Sequence, residues 1–283
     1  MSRSTTQVRD AVSSPTLTID IAGAPFAYRK FGPSTGVPLV FLHHFTAVID
    51  DWDPRVIDGI SAERRVIAFD NRGVGGSGGR TPTNVAAMAD DAIAFIRALG
   101  LDQVDLMGFS LGGFISQVIV TKEPALVRRV VLAGTGAAGS AGVGKFSRRL
   151  VSDTLHGALT LSDPKPYLFF TRSAEGKAAA AAYMQRIKER TADRVPPTSL
   201  GGVAAQLVAI RGWGNQAPMD LSVIEHPVLV ANGEDDRMLP TRASFDLAHR
   251  LPNASLRIYP DSGHGGVFQY HEQFVSQVLE FLR

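Results

Sequence analysis

Six consecutive residues, Gly108-Phe109-Ser110-Leu111-Gly112-Gly113, carry the strongest chemical signal in the chain. The first five fit G-x-S-x-G. A short apolar run, VDLM, leads into them and a helix-forming stretch, FISQVIVTK, follows. A strand that turns sharply into a helix holds its central residue in a strained backbone conformation, and glycines on either side let the turn pack. A serine there projects its oxygen from the sheet edge at the positive end of a helix, where developing negative charge is stabilised. The chemistry expected of Ser110 is nucleophilic attack.

A serine hydroxyl needs a base, and the base needs an orienting acid. Asp236, in GEDDRMLP, follows the apolar run VLVAN, and His264, in DSGHGG, follows LRIYP. Ser, Asp, His is the chain order expected with this kind of turn. Glu234 and Asp235 flank Asp236 and stay open as alternative acids. Among the seven histidines, His156 lies in an insertion, His226 precedes a strand, and His249 and His271 lie in helical stretches. Those four read as surface or packing residues, and His264, between glycines at a strand end, is the best base. The segment Asp70-Asn71-Arg72-Gly73 lacks the Gly-Lys-Ser/Thr ending of a phosphate-binding loop and reads as a structural turn. No two histidines have helical ligand spacing with an acid nearby, so neither a metal nor a cofactor is expected.

These residues end a series of short apolar runs, and that placement defines the elements needed to hold them. VPLVFLHHF, RVIAFDNRG, QVDLMGFS, RRVVLAGTG, HPVLVANGEDD and ASLRIYPDSGH each read as a strand buried on both faces and ending in polar residues. LTIDIAG and PFAYRKFG alternate around Gly-Ala-Pro and read as a hairpin. In TNVAAMADDAIAFIRALG, Val85, Met88, Ala92, Ile96 and Leu99 form one apolar helical face, with Thr83 as N-cap and Gly100 as stop. Strands alternating with helices predict an α/β fold with a doubly wound, mostly parallel sheet, whose ligands sit beyond the carboxyl ends of the strands. Residues 137–224 break the alternation, are rich in Ala, Lys and Arg, and read as a helical lid with a break at Pro196-Pro197. The expected organisation is an arm over 1–15, a core over 16–136 and 225–283, and the lid between.

The ordered set of segments, HHF after VPLVFL, DNRGVGGS after VIAF, GFSLGG, GEDDRMLP and SGHGG, resembles the α/β-hydrolase fold superfamily from Leu17 to the C-terminus. The resemblance implies Ser110 as nucleophile, His264 as base and Asp236 as orienting acid, with an oxyanion hole from the backbone N–H groups of Phe45 and Leu111. It implies a cofactor-independent serine hydrolase of esters or lactones. Two reactions on the same groups stay open: peracid formation, as in the cofactor-free haloperoxidases that AVIDDWDP resembles, and hydrolysis of a carbon–carbon bond beside a ketone. A hydrolase-like receptor without turnover is the non-enzymatic alternative. Family members usually carry His-Gly where this chain has His43-His44. Since histidine does not take up positive φ cheaply, the loop must be shaped differently or carry strain. His43, His44 and Trp213 are candidate lining residues, His44 either as an extra hydrogen-bond donor or as a packing or solvent-facing ring. Tyr167, Phe169, Phe170, Leu207 and Trp213 are candidates for an apolar wall or equally for packing between lid and sheet.

Composition bounds the partners. The 283 residues are 45% hydrophobic and 20% charged with a net charge of +2, which fits a globular protein with a large core and excludes a disordered chain. So small an excess, with no basic cluster among aromatics, argues against nucleic acid. The absence of cysteine removes disulfides, thiolate metal sites and a cysteine nucleophile. No apolar leader and no membrane-length apolar stretch are evident, so no membrane partner and a cytoplasmic location are expected. The expected partner is a small molecule, an apolar acyl or ring compound.

Overall fold

The computed structural model describes residues 10–140 and 163–283. Eight strands form one sheet in the order β1-β2-β4-β3-β5-β6-β7-β8. β1 (Leu17–Ile21) pairs antiparallel with β2 (Ala24–Phe31), and β2 runs antiparallel to β4 (Val66–Phe69). From there β3 (Leu39–Leu42), β5 (Val104–Phe109), β6 (Val127–Ala133), β7 (Val228–Gly233) and β8 (Ala254–Tyr259) pair in parallel. The doubly wound, mostly parallel sheet expected from the alternation is present.

Burial separates interior strands from edges as their compositions require. Every residue of β3, β4, β5 and β7 is buried, because these strands are paired along both edges and the sheet is flanked by helices. β1, at an edge, shows alternating exposure, and its polar residues Thr18 and Asp20 face outward. The hairpin turn lies one residue earlier than the Gly-Ala-Pro reading: Ala22 and Gly23 take φ of 52° and 77°. Two consecutive positive φ values suit the right-handed twist of a tight hairpin, so Ala24 and Pro25 already belong to β2.

Helices α1 (Pro54–Ser61), α2 (Val85–Ala98) and α3 (Leu111–Lys122) flank the first half of the sheet. α2 buries Val85, Met88, Ala92 and Ile96, the predicted face. Its N-cap is Asn84 rather than Thr83: the Asn84 side chain accepts from the Ala87 N–H at 2.8 Å. Asparagine caps at least as well as threonine, and its position leaves Val85 as the first helical residue. Gly100, with φ of 69°, ends the helix as expected.

In the predicted lid, residues 141–162 lie outside the described residues. The rest contains α4 (Lys165–Phe169), α5 (Ala174–Arg186) and α6 (Leu200–Asn215), with Pro196 and Pro197 in the extended stretch between the last two. α7 (Arg242–Arg250) packs on β7 and β8, and α8 (Gly266–Gln269) leads into α9 (His271–Phe281), which packs on α1. Of the expected arm, residues 1–9 lie outside the described residues. Residues 11–14 are held: the Ala11 N–H donates to Asp58, Arg190 donates to the Val12 carbonyl, and Ser14 is buried.

Candidate active site

Ser110 sits between β5 and α3 with φ of 55° and ψ of −114°, a conformation that L-residues rarely adopt. Its neighbours explain why the strain persists. A Cβ on Gly108 would lie 2.4 Å from Ser116 Oγ, one on Gly112 2.0 Å from the Leu42 carbonyl oxygen, and one on Gly113 2.5 Å from Thr135 Oγ1. The three glycines allow α3 to pack hard against the end of β3 and the loop after β6. The turn is also tied down by the Ser110 N–H, which donates to the Ala133 carbonyl at 2.9 Å.

Asp236 and His264 come from the loops after β7 and β8. These loops meet backbone to backbone: the Asp235 N–H donates to the Ser262 carbonyl at 2.9 Å, and a Cβ on Gly233 would sit 2.1 Å from the Gly263 oxygen. The result is a 2.7 Å hydrogen bond from His264 Nδ1 to Asp236 Oδ2, fully buried on both sides. The other carboxylate oxygen accepts from the Met238 and Leu239 N–H groups at 2.8 and 2.9 Å, which fixes its orientation. Glu234 and Asp235 are exposed, and the geometry selects Asp236 as the partner of the imidazole. In a neutral imidazole whose Nδ1 donates to a carboxylate the lone pair is on Nε2, and His264 Nε2 is buried with no hydrogen-bond partner among the described residues.

Ser110 and His264 line one cavity of about 310 Å³. His44, Phe45 and Thr46 border it from the loop after β3, while Lys165, Leu168 and Phe169 border it from the α4 region. The His264 ring packs 4.9 Å from Phe109 and 5.5 Å from Phe169, centroid to centroid. No acceptor for the Phe45 or Leu111 N–H appears among the described residues.

A family model for the alpha/beta hydrolase fold matches residues 37–269. The chain belongs to this family. The solved structure of an α/β-hydrolase fold protein from Chitinophaga pinensis is 39% identical, with a TM-score of 0.92 over 97% of this chain and 99% of that one. RutD of Agrobacterium fabrum, named as a carbamate hydrolase, is 29% identical over 239 residues, 82% of this chain and 87% of the relative. A 2-hydroxymuconate semialdehyde hydrolase of Pseudomonas putida is 29% identical over 238 residues, 78% of each chain. These relatives support a hydrolase of the fold.

Within this α/β-hydrolase the loop after β3 resolves the conflict raised by His43-His44. Neither histidine takes positive φ; Thr46 does, at 62°. The strain is displaced by two residues and held by side chains of the helical segment. Gln206 on α6 accepts from the Thr46 N–H at 2.7 Å, and Thr198 donates to the Thr46 carbonyl at 2.7 Å.

The candidate lining residues part company. His44 lines the cavity. His43 does not: it accepts from Trp52 Nε1 at 2.6 Å, and its Nε2 lies 3.5 Å from Asp70 beneath the loop. Trp213 also lies elsewhere, stacked on Phe114 at 5.2 Å and donating to the Gly136 carbonyl, so it packs α6 onto the core. Of the apolar candidates, Phe169 lines the cavity, whereas Tyr167 and Phe170 line a separate hollow on the outer side of α4 and α5. Asp70 is a structural residue, as expected: it accepts from the Ile49 and Gly76 N–H groups, and a Cβ on Gly75 would strike it at 2.2 Å.

Sequence reasoning missed Thr46, Gln206, Lys165 and Met238. Met238 was within reach, since it lies two residues past Asp236. Lys165 carried no local signal: its ammonium pairs with Asp163 at 3.2 Å and with the distant Asp51 at 3.1 Å. Burial alone would depress the Lys165 pKa, but these two carboxylates outweigh it and hold the value above normal, so the ammonium is charged at neutral pH.

Proposed function

We propose that this α/β-hydrolase is a cofactor-independent serine hydrolase of carboxylic esters or lactones that works through an acyl-enzyme on Ser110. The observation that carries the reading is the buried 2.7 Å bond between Asp236 and His264, whose free Nε2 belongs to a ring lining the same cavity as Ser110. Ser110 Oγ attacks the carbonyl carbon while His264 Nε2 takes its proton, and Asp236 stabilises the resulting imidazolium. The N–H groups of Phe45 and Leu111 receive the oxyanion. His264 then returns the proton to the leaving alkoxide, and water, activated by the same imidazole, releases the acid and regenerates Ser110. A cavity of about 310 Å³ suits a small or medium acyl or ring group. Phe169 and Leu168 from the helical segment give that cavity an apolar wall, which supports a covering, specificity-setting role for the segment.

A fluorophosphonate probe tests the nucleophile, and a panel of esters and lactones of graded length tests the reaction. Labelling of wild type but not of Ser110→Ala, with turnover of the panel, is the expected result. Turnover only of acetate plus peroxide, or only of a vinylogous diketone, would move the protein to the peracid or carbon–carbon reaction. No labelling of folded protein would favour a receptor.

A further inference from the structure

His44 stands where a glycine is usual, and its environment defines which hydrogen bonds it can make. The ring is gripped edge-on between Phe109 and Phe169, at centroid distances of 5.2 and 5.1 Å. Its Nδ1 lies 2.9 Å from the Phe45 carbonyl oxygen. A carbonyl only accepts, so Nδ1 carries the hydrogen. Burial, then the nearby charge of Lys165 and the ring of His264, push the His44 pKa well below 6.5, and the ring is neutral. The lone pair is therefore on Nε2, which is buried and has no partner among the described residues. The extra donor expected from the sequence is instead an acceptor. An unmet buried acceptor costs free energy that a ligand can recover by supplying a hydrogen.

His44 shares the cavity with Ser110 and immediately precedes Phe45, whose N–H is assigned to the oxyanion. A lone pair beside a carbonyl that is gaining negative charge repels it unless a hydrogen stands between. On the serine hydrolase reading above, we propose that His44 is a specificity-determining residue whose Nε2 accepts a hydrogen bond from a hydroxyl or amide N–H on the acyl part of the substrate, beside the scissile carbonyl.

The test uses 2-hydroxybutanoate, 2-methoxybutanoate and pentanoate esters of one phenol, with fluorophosphonate labelling of Ser110 run on each variant. Wild type should favour the hydroxy over the methoxy ester by about tenfold in kcat/KM. His44→Phe should bring that ratio to within about twofold, and His44→Gln, whose Oε1 can accept, should restore most of it. Where the protein labels but turns over none of these esters, protection from labelling by 2-hydroxybutanamide against 2-methoxybutanamide reads the same preference. Labelling with no preference, or a ratio unchanged in His44→Phe, overturns the His44 role and leaves the nucleophile standing. An equal loss on all three esters also overturns it, because the missing donor would then be the attacking water or the role purely structural. Failure of folded wild type to label overturns both readings.

Discussion

The turn at Ser110 and the loop at Thr46 face the same cavity from the ends of adjacent strands, and each contains one non-glycine residue at positive φ. They are held by different means. Around Ser110 the support is close packing, with glycines at 108, 112 and 113 admitting backbone and side chains that leave no room for a methyl group. Around Thr46 it is hydrogen bonding from outside the sheet, through Gln206 and Thr198. A conformation enforced by the core travels with the core. One enforced by the helical segment depends on where that segment sits, so the loop at Thr46, and not the turn at Ser110, is the part the segment can adjust.

The largest expected effect lies on the Ser110 side. Ser110→Ala should lower kcat by at least about ten-thousandfold while the fold, read by circular dichroism, is unchanged. Survival of a tenth of the activity would remove Ser110 from the chemistry. Gly112→Ala probes the packing itself. With its added carbon only 2.0 Å from the Leu42 oxygen, the variant should lose about 3 kcal/mol of unfolding free energy in urea titration. An unaltered midpoint would show that close packing is not what holds the turn.

Gln206→Leu is the matching change on the other side. It leaves the Thr46 N–H without its acceptor, and kcat should fall about tenfold with KM little changed and a stability loss of about 1–2 kcal/mol. A pure rise in KM would place Gln206 at the substrate instead. The smallest effect concerns pH. His44 has its folded pKa depressed below the unfolded value, so between the two the unfolded chain binds more protons. Stability is therefore full above about pH 6.5 and falls as pH drops, by at most about 1.4 kcal/mol per pH unit from this group. His44→Gln should flatten that acid limb in denaturant melts at pH 5 to 7, whereas parallel limbs for wild type and variant would mean that the buried ring takes up its proton freely.

Local chemistry accounts for what was legible in the chain. Runs such as VIAF and VLVAN announce buried strands because a parallel sheet covered on both faces tolerates little else, and G-x-S-x-G announces the turn because only glycine fits there. The order Ser110, Asp236, His264 follows from the succession of strand ends, so the family and the three groups proposed to react could be named without coordinates. Choosing Asp236 over Glu234 and Asp235 required the contact between two loops 28 residues apart. The positions of His43 and Trp213 and the strain at Thr46 likewise arise between residues remote in the chain, whereas the tautomer of His44 is set by the adjacent Phe45 carbonyl. Direction, burial and protonation state are properties of packed neighbours, and no periodicity or spacing records which neighbours a folded chain will bring.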